Sequence, residues 1–89
     1  NRLSDYQAAI KSFENFLVDF PGSSLREKAM YYRFDSAYNL AVNSVKWKQP
    51  ERIVKTVNYY NSFKLNYVES DFLKEMDSKM SELEKITNN

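Results

Sequence analysis

Histidine and cysteine are both missing from this chain of 89 residues. Without histidine it lacks the commonest general base and the commonest transition-metal ligand. Without cysteine it has no disulfide, no thiolate metal site and no redox indication of its compartment. A single glycine and two prolines leave little turn chemistry for a hairpin-rich β fold, and one glycine cannot form a phosphate-cradling loop. Charge of one sign is also scarce. Thirteen Lys and Arg interleave with twelve Asp and Glu for a net charge of +1, which argues against nucleic acid as the main partner, because phosphate binding needs a concentrated basic surface. No window approaches the roughly 18 apolar residues of a membrane span. No charged-then-apolar leader opens the chain, and it does not begin with methionine; on this reading it is a fragment of a longer protein.

Aromatic residues, by contrast, are abundant: seven Tyr, six Phe and one Trp, 16% of the chain. A core this small cannot hold all of them, so some are expected at the surface. They recur in a phrase stated twice, 47 residues apart. The first copy runs Tyr6-x-x-Ala9-Ile10-x-x-Phe13-x-x-Phe16-x-x-x-Phe20-Pro21-x-Ser23. The second runs Ile53-x-x-Thr56-Val57-x-x-Tyr60-x-x-Phe63-x-x-x-Tyr67-Val68-x-Ser70. Self-similarity at such a period marks helical repeat proteins, whose faces bind other proteins more often than they catalyse.

Caps and apolar stripes divide the chain into four helices, near 4–20, 24–45, 50–67 and 70–87, in a single domain over 1–89. Ser4 with Gln7, and Ser24 with Glu27, fit capping boxes. Pro21-Gly22 stops the first helix, with Gly22 suited to a left-handed cap. Leu25, Ala29, Tyr32, Ser36, Ala37, Leu40, Ala41 and Val45 carry the second stripe, whose small residues at 36, 37 and 41 admit close helix approach. Pro50 suits the start of the third helix, and Ser70 or Asp71 the cap of the fourth. Met76, Met80, Leu83 and Ile86 line the last helix, and the Thr87-Asn88-Asn89 tail reads as frayed. Short loops make neighbouring helices antiparallel. The fold class is therefore all-α.

Tyr6, Ala9, Ile10, Phe13, Leu17 and Pro21 resemble the second helix of a tetratricopeptide (TPR) repeat, and Tyr31-x-x-Phe34-x-x-x-Tyr38 resembles a first helix. The resemblance implies TPR-like antiparallel hairpins in an α-solenoid. Asp35 departs from it, standing where that repeat has a small residue, and Val68 replaces the closing proline. The period also exceeds the usual value of about 34 residues, with the surplus between Leu40 and Pro50.

The Phe20–Tyr31 junction resembles that of the BamD family. So does Ala41-x-x-Ser44 followed by Lys48, Glu51, Arg52, Tyr59-Tyr60, Phe63 and Tyr67, in the manner of its diverged Bacteroidetes-type members. The resemblance runs from about Ser4 to Leu83. It implies a non-enzymatic scaffold on the periplasmic face of the outer membrane, within the outer-membrane protein assembly (Bam) complex. The implied partners are a BamA-like barrel-assembly subunit and other Bam lipoproteins, with membrane attachment only through a lipid anchor outside these residues. A Tol-Pal-type periplasmic TPR adaptor is the first alternative; a small helical enzyme is the alternative of another class.

No catalytic constellation, cofactor or metal site emerges. Glu82/Glu84 and Glu69/Asp71 are two apart and so diverge on a helix, and Ser78-Lys79 are adjacent rather than facing. Two groups suit partner binding. Lys46-Trp47-Lys48, with Arg52, offers an amphipathic ring among cations. Asn58, Tyr59 and Ser62 lie to one side of the repeat stripe, where tyrosine combines apolar area with a water-tolerant hydroxyl. The plain readings are a solvated turn for Trp47 and helix packing for Tyr59.

Overall fold

A computed structural model describes residues 2–87. The described residues form four α-helices and no strand: α1 (Arg2–Asp19), α2 (Arg26–Val42), α3 (Gln49–Asn66) and α4 (Leu73–Thr87). A 3-10 turn, Lys46–Lys48, leads directly into α3. The fold is all-α and TPR-like, as the stripes of apolar residues at helical spacing dictate.

α2 is the central element. α1 and α3 pack on it most extensively, while α4 contacts both α2 and α3. Ala37 and Ala41, 2% and 0% exposed, let the neighbouring backbones come close. Ile10 of α1, Tyr31 and Phe34 of α2, Tyr59 and Phe63 of α3 and Met76 of α4 meet in one core. Phe63 is fully buried, and removing a side chain of that kind from water contributes roughly 1.5–3 kcal/mol. Among the described residues the only fully buried polar side chain is Thr56, whose hydroxyl donates to the Arg52 carbonyl one turn back. The molecule is a slab of 39 × 29 × 16 Å. Its radius of gyration of 12.9 Å exceeds the about 12 Å typical of a compact chain this long.

The repeat survives in atomic detail at the two helix–helix junctions. In the first, the amides of Phe20, Ser23, Arg26 and Ala29 donate to the carbonyls of Phe16, Phe20, Ser23 and Leu25. In the second, the amides of Tyr67, Ser70, Leu73 and Met76 donate to those of Phe63, Tyr67, Ser70 and Phe72. Every donor and acceptor is displaced by the same 47 positions. The serine hydroxyls match too: Ser23 Oγ accepts from the Leu25 amide at 3.0 Å, and Ser70 Oγ from the Phe72 amide at 3.1 Å. The Phe16–Phe20 rings lie 5.4 Å apart at 43°, and Phe63–Tyr67 5.3 Å apart at 43°.

Several expected boundaries shift. α1 already includes Ser4, which therefore caps nothing. α2 starts at Arg26 after Leu25, with no side-chain cap bond, so Ser24 is not the cap; Ser23 binds the turn instead. Glu27 is drawn away from its own helix end by the Ser70 hydroxyl, which donates to it. α2 stops at Val42 rather than at 45, because side chains claim its last carbonyls. Asn43, Ser44 and Gln49 donate to Asn39 O, Leu40 O and Ala41 O. Pro50 sits in the first turn of α3, which begins one residue earlier than expected. α4 begins at Leu73, later than expected, since the junction occupies residues up to Phe72. Gly22 does not adopt the left-handed conformation, and no described residue has a positive φ. Asn88 and Asn89, part of the expected frayed tail, lie outside the described residues.

Candidate functional site

The surplus residues between the two repeat copies build a rigid projecting turn. Val45 is extended, at φ −62° and ψ 149°, and swings the chain away from α2 before Lys46–Lys48 coil back into α3. Both feet of this turn are fastened. Ser44 donates to Leu40 O, Arg52 Nη1 donates to Ser44 Oγ, and Gln49 Nε2 reaches Ala41 O at 3.3 Å. Between them Trp47 stands 77% exposed, with the Lys48 ammonium 5.0 Å from its ring centroid. Val45 and Val54 are also exposed. Beside the turn, Lys46, Pro50, Ile53, Val54 and Ile86 line a concavity of about 550 Å³ between the start of α3 and the end of α4. The result is apolar area flanked by Lys46 and Lys48.

The other predicted residues fall elsewhere. Arg52 is spent tying α3 to the end of α2, so it supports the turn rather than presenting a charge on it. Tyr59 is buried, 8% exposed, which agrees with helix packing and removes it from the partner face on which it was also placed. Its hydroxyl donates to Glu14 Oε2 at 2.8 Å, and the Arg33 guanidinium lies 4.1 Å from its ring centroid. Burial and the bond to Glu14 push the Tyr59 phenol well above its ordinary range. The physical reason is that α3 has neighbours on two sides. Tyr60 turns toward Phe34 of α2 and Asp77 of α4, and Tyr59 toward α1. Asn58 is exposed and Ser62 half-buried; the Ser62 carbonyl accepts from Asn66. With Tyr59 inside, Asn58 and Ser62 do not form a continuous surface with Trp47.

Sequence reasoning missed a polar cluster joining α2 to α4. Lys79 ion-pairs with Asp35, donates to the Tyr31 hydroxyl at 3.3 Å, and lies over the Tyr31 and Tyr38 rings. Burial alone would lower the Lys79 ammonium; its bonds to Asp35 and Tyr31 outweigh that and raise it. Burial, with the nearby Glu75 carboxylate, pushes the Tyr31 phenol up to about 12. The signal for this cluster was Asp35 itself, the acid where the repeat pattern has a small residue. Its partner is 44 positions away and has no local signature.

Among the described residues, no group of three or more carboxylates is placed to hold a metal, and no helix is long and apolar enough to cross a membrane. What the arrangement can do is present shape: a fixed tryptophan turn on a stiff helical slab. The model of the YfiO family, described as outer membrane lipoprotein, matches residues 2–87. No curated protein and no solved structure matches the chain.

Proposed function

Because the chain belongs to the YfiO, or BamD-like, family of outer membrane lipoproteins, we propose that it is a protein-binding scaffold of the outer-membrane protein assembly (Bam) complex. In this reading it works at the periplasmic face of the outer membrane, on a BamA-like barrel-assembly subunit and neighbouring Bam lipoproteins. It is a C-terminal repeat portion of a diverged, Bacteroidetes-type BamD protein. The lipid that anchors such a protein is carried on a cysteine, which these 89 residues do not contain.

One observation carries the proposal at residue level: Trp47, the sole tryptophan, is 77% exposed on a turn whose two feet are hydrogen-bonded. A rigid amphipathic ring loses little entropy on binding, and tryptophan is over-represented among residues that dominate interface energies. Lys46 and Lys48 beside it suit an acidic patch on the partner.

The test is affinity purification of the parent protein from its native envelope. The barrel-assembly subunit should be recovered, and Trp47→Ala should reduce its recovery by about tenfold without changing the melting temperature. Undiminished recovery with Trp47→Ala removes the turn from the contact. Clean recovery of other envelope proteins without that subunit overturns the Bam assignment.

A further inference from the structure

α1 and α3 both pack on α2, and a polar cleft of about 590 Å³ opens between them. Gln7, Ile10, Lys11 and Glu14 line it from α1, at the spacing that places residues on one helix face. Glu51, Arg52 and Lys55 line it from α3, and Leu40 of α2 joins Ile10 as its apolar part.

The charge in this cleft is unbalanced. Lys11, Arg52 and Lys55 bring cations from two walls, and among the described residues none of them forms an ion pair. Arg52 donates to the neutral Ser44 hydroxyl, so its charge stays uncompensated. Lys11 and Lys55 are exposed, and the Lys55 ammonium lies 5.9 Å from the Tyr59 ring centroid. Of the two acids, Glu14 is already engaged. It accepts from the Tyr59 hydroxyl and faces the charge of Arg33, whose guanidinium lies over the same ring. Arg33 adds to the surplus of donors: it makes no hydrogen bond, and its Nε is buried without an acceptor. Only Glu51 then remains against the cations of the two walls. By contrast, Lys79 at the α2–α4 contact is matched by Asp35 and Glu75. Like charges gathered in one concavity repel, and an anion settling among them removes that cost.

We propose that this cleft binds a phosphorylated polyol, of which a sugar phosphate is the simplest case. The phosphate sits among Lys11, Arg52 and Lys55. A phosphate monoester carries close to two charges at neutral pH and presents acceptor oxygens in three directions, which suits cations arriving from two walls. A carboxylate offers one charge in one plane. Gln7 donates to or accepts from the polyol hydroxyls, Glu51 accepts from them, and Ile10 and Leu40 pack on the C–H face. The cleft has the volume of a small-molecule site, and a bare phosphate would leave most of it to water. A soluble sugar phosphate and the headgroup of a glycolipid share this chemistry. The inference goes beyond the assembly role proposed above and does not rest on it.

Glucose 1-phosphate titrated at low salt into the 89-residue chain should bind saturably. The largest amide shifts should fall within residues 7–14 and 51–55. Glucose should not bind, and inorganic phosphate should bind about tenfold more weakly. Lys11→Ala combined with Lys55→Ala should weaken binding by about tenfold or more, with helicity unchanged. Arg52 is left intact because it also fastens the tryptophan turn. Lys74→Ala, which removes an exposed cation of α4 outside the cleft, should change nothing. A second arm uses phosphatidylcholine vesicles with and without lipid A, whose sugars carry phosphate monoesters. Saturation by glucose 1-phosphate supports a soluble ligand. Sedimentation with lipid A vesicles alone, lost in the double variant, assigns the site to a headgroup. No saturation at millimolar glucose 1-phosphate together with no lipid A binding would overturn the proposal. So would an equal loss from Lys74→Ala, shifts centred outside the two segments, or inorganic phosphate binding as tightly as the sugar phosphate.

Discussion

Tyr59 joins three elements through one side chain: its backbone is in α3, its hydroxyl meets Glu14 of α1, and its ring lies under Arg33 of α2. Tyr59→Phe keeps the ring and removes only the hydroxyl bond, so chemical denaturation should show a loss of about 0.5–1.5 kcal/mol. Tyr59→Ala empties a core site and should cost about 3–5 kcal/mol. Trp47→Ala, on an exposed ring, should stay within about 0.5 kcal/mol of the parent chain. The contrast separates a residue that holds the fold from one that faces outward. The tyrosines also dictate an alkaline limit. Tyr31 and Tyr60 are both pushed up to about 12, and Tyr59 rises further. The unfolded chain loses these protons from near pH 10 while the folded chain keeps them, so stability is complete below pH 10 and falls above it. The Lys79 ammonium, raised in the fold, is present below its unfolded pKa and lost as pH climbs through its folded one, which adds to the same decline. Denaturation midpoints should drop steeply between pH 10 and 12, and Tyr59→Phe should flatten that drop. An unchanged midpoint across this window would refute the assignment.

At the scale of elements, the existence of each helix was legible, because apolar stripes at a period of 3.6 have no other economical packing. The ends were not. Ser24 and Glu27 have the spacing of a capping box, yet Glu27 is taken by Ser70, 43 positions away, a competition no local window contains. Trp47 could be placed outside because it sits in surplus chain between stripes. For Tyr59 the sequence left helix packing and a partner face both open, since a one-helix pattern does not reveal that α3 has partners on two sides. The paired junctions supply a differential test. Ser23 and Ser70 make the same turn bond, but only Ser70 also bonds Glu27. Ser70→Ala should therefore cost about 1–2 kcal/mol and Ser23→Ala about half as much, measured by urea midpoint. Equal losses would mean that the Glu27 bond contributes nothing. Gly22 is a control at the same junction. It has no positive φ, and a Cβ there would meet nothing within 4 Å. Gly22→Ala should be neutral or stabilise by up to about 1 kcal/mol, through the unfolded state alone. A clear fall in melting temperature would show that the turn needs glycine after all.

Across the whole molecule, the slab form explains why so many large apolar side chains remain at the surface. Phe20, Leu25, Tyr32, Trp47, Val54 and Leu65 are all more than 45% exposed. A body 16 Å through at its thinnest has little interior, so aromatic residues in excess of the core must lie on its faces. Those lining the groove between α1 and α2 and those at the tryptophan turn occupy separate places.

The duplicated junction has a mechanical consequence. Two turns are closed by matching hydrogen bonds, and neither depends on a left-handed residue. Each junction is held by a few amide and serine bonds. A substitution that loosens Ser23 or Ser70 should therefore alter the spacing at which distant contacts are offered before it alters helix content. In small-angle scattering such a change would appear as a different maximum dimension with an unchanged circular dichroism spectrum. The junction serines thus act as gauge as well as turn bond.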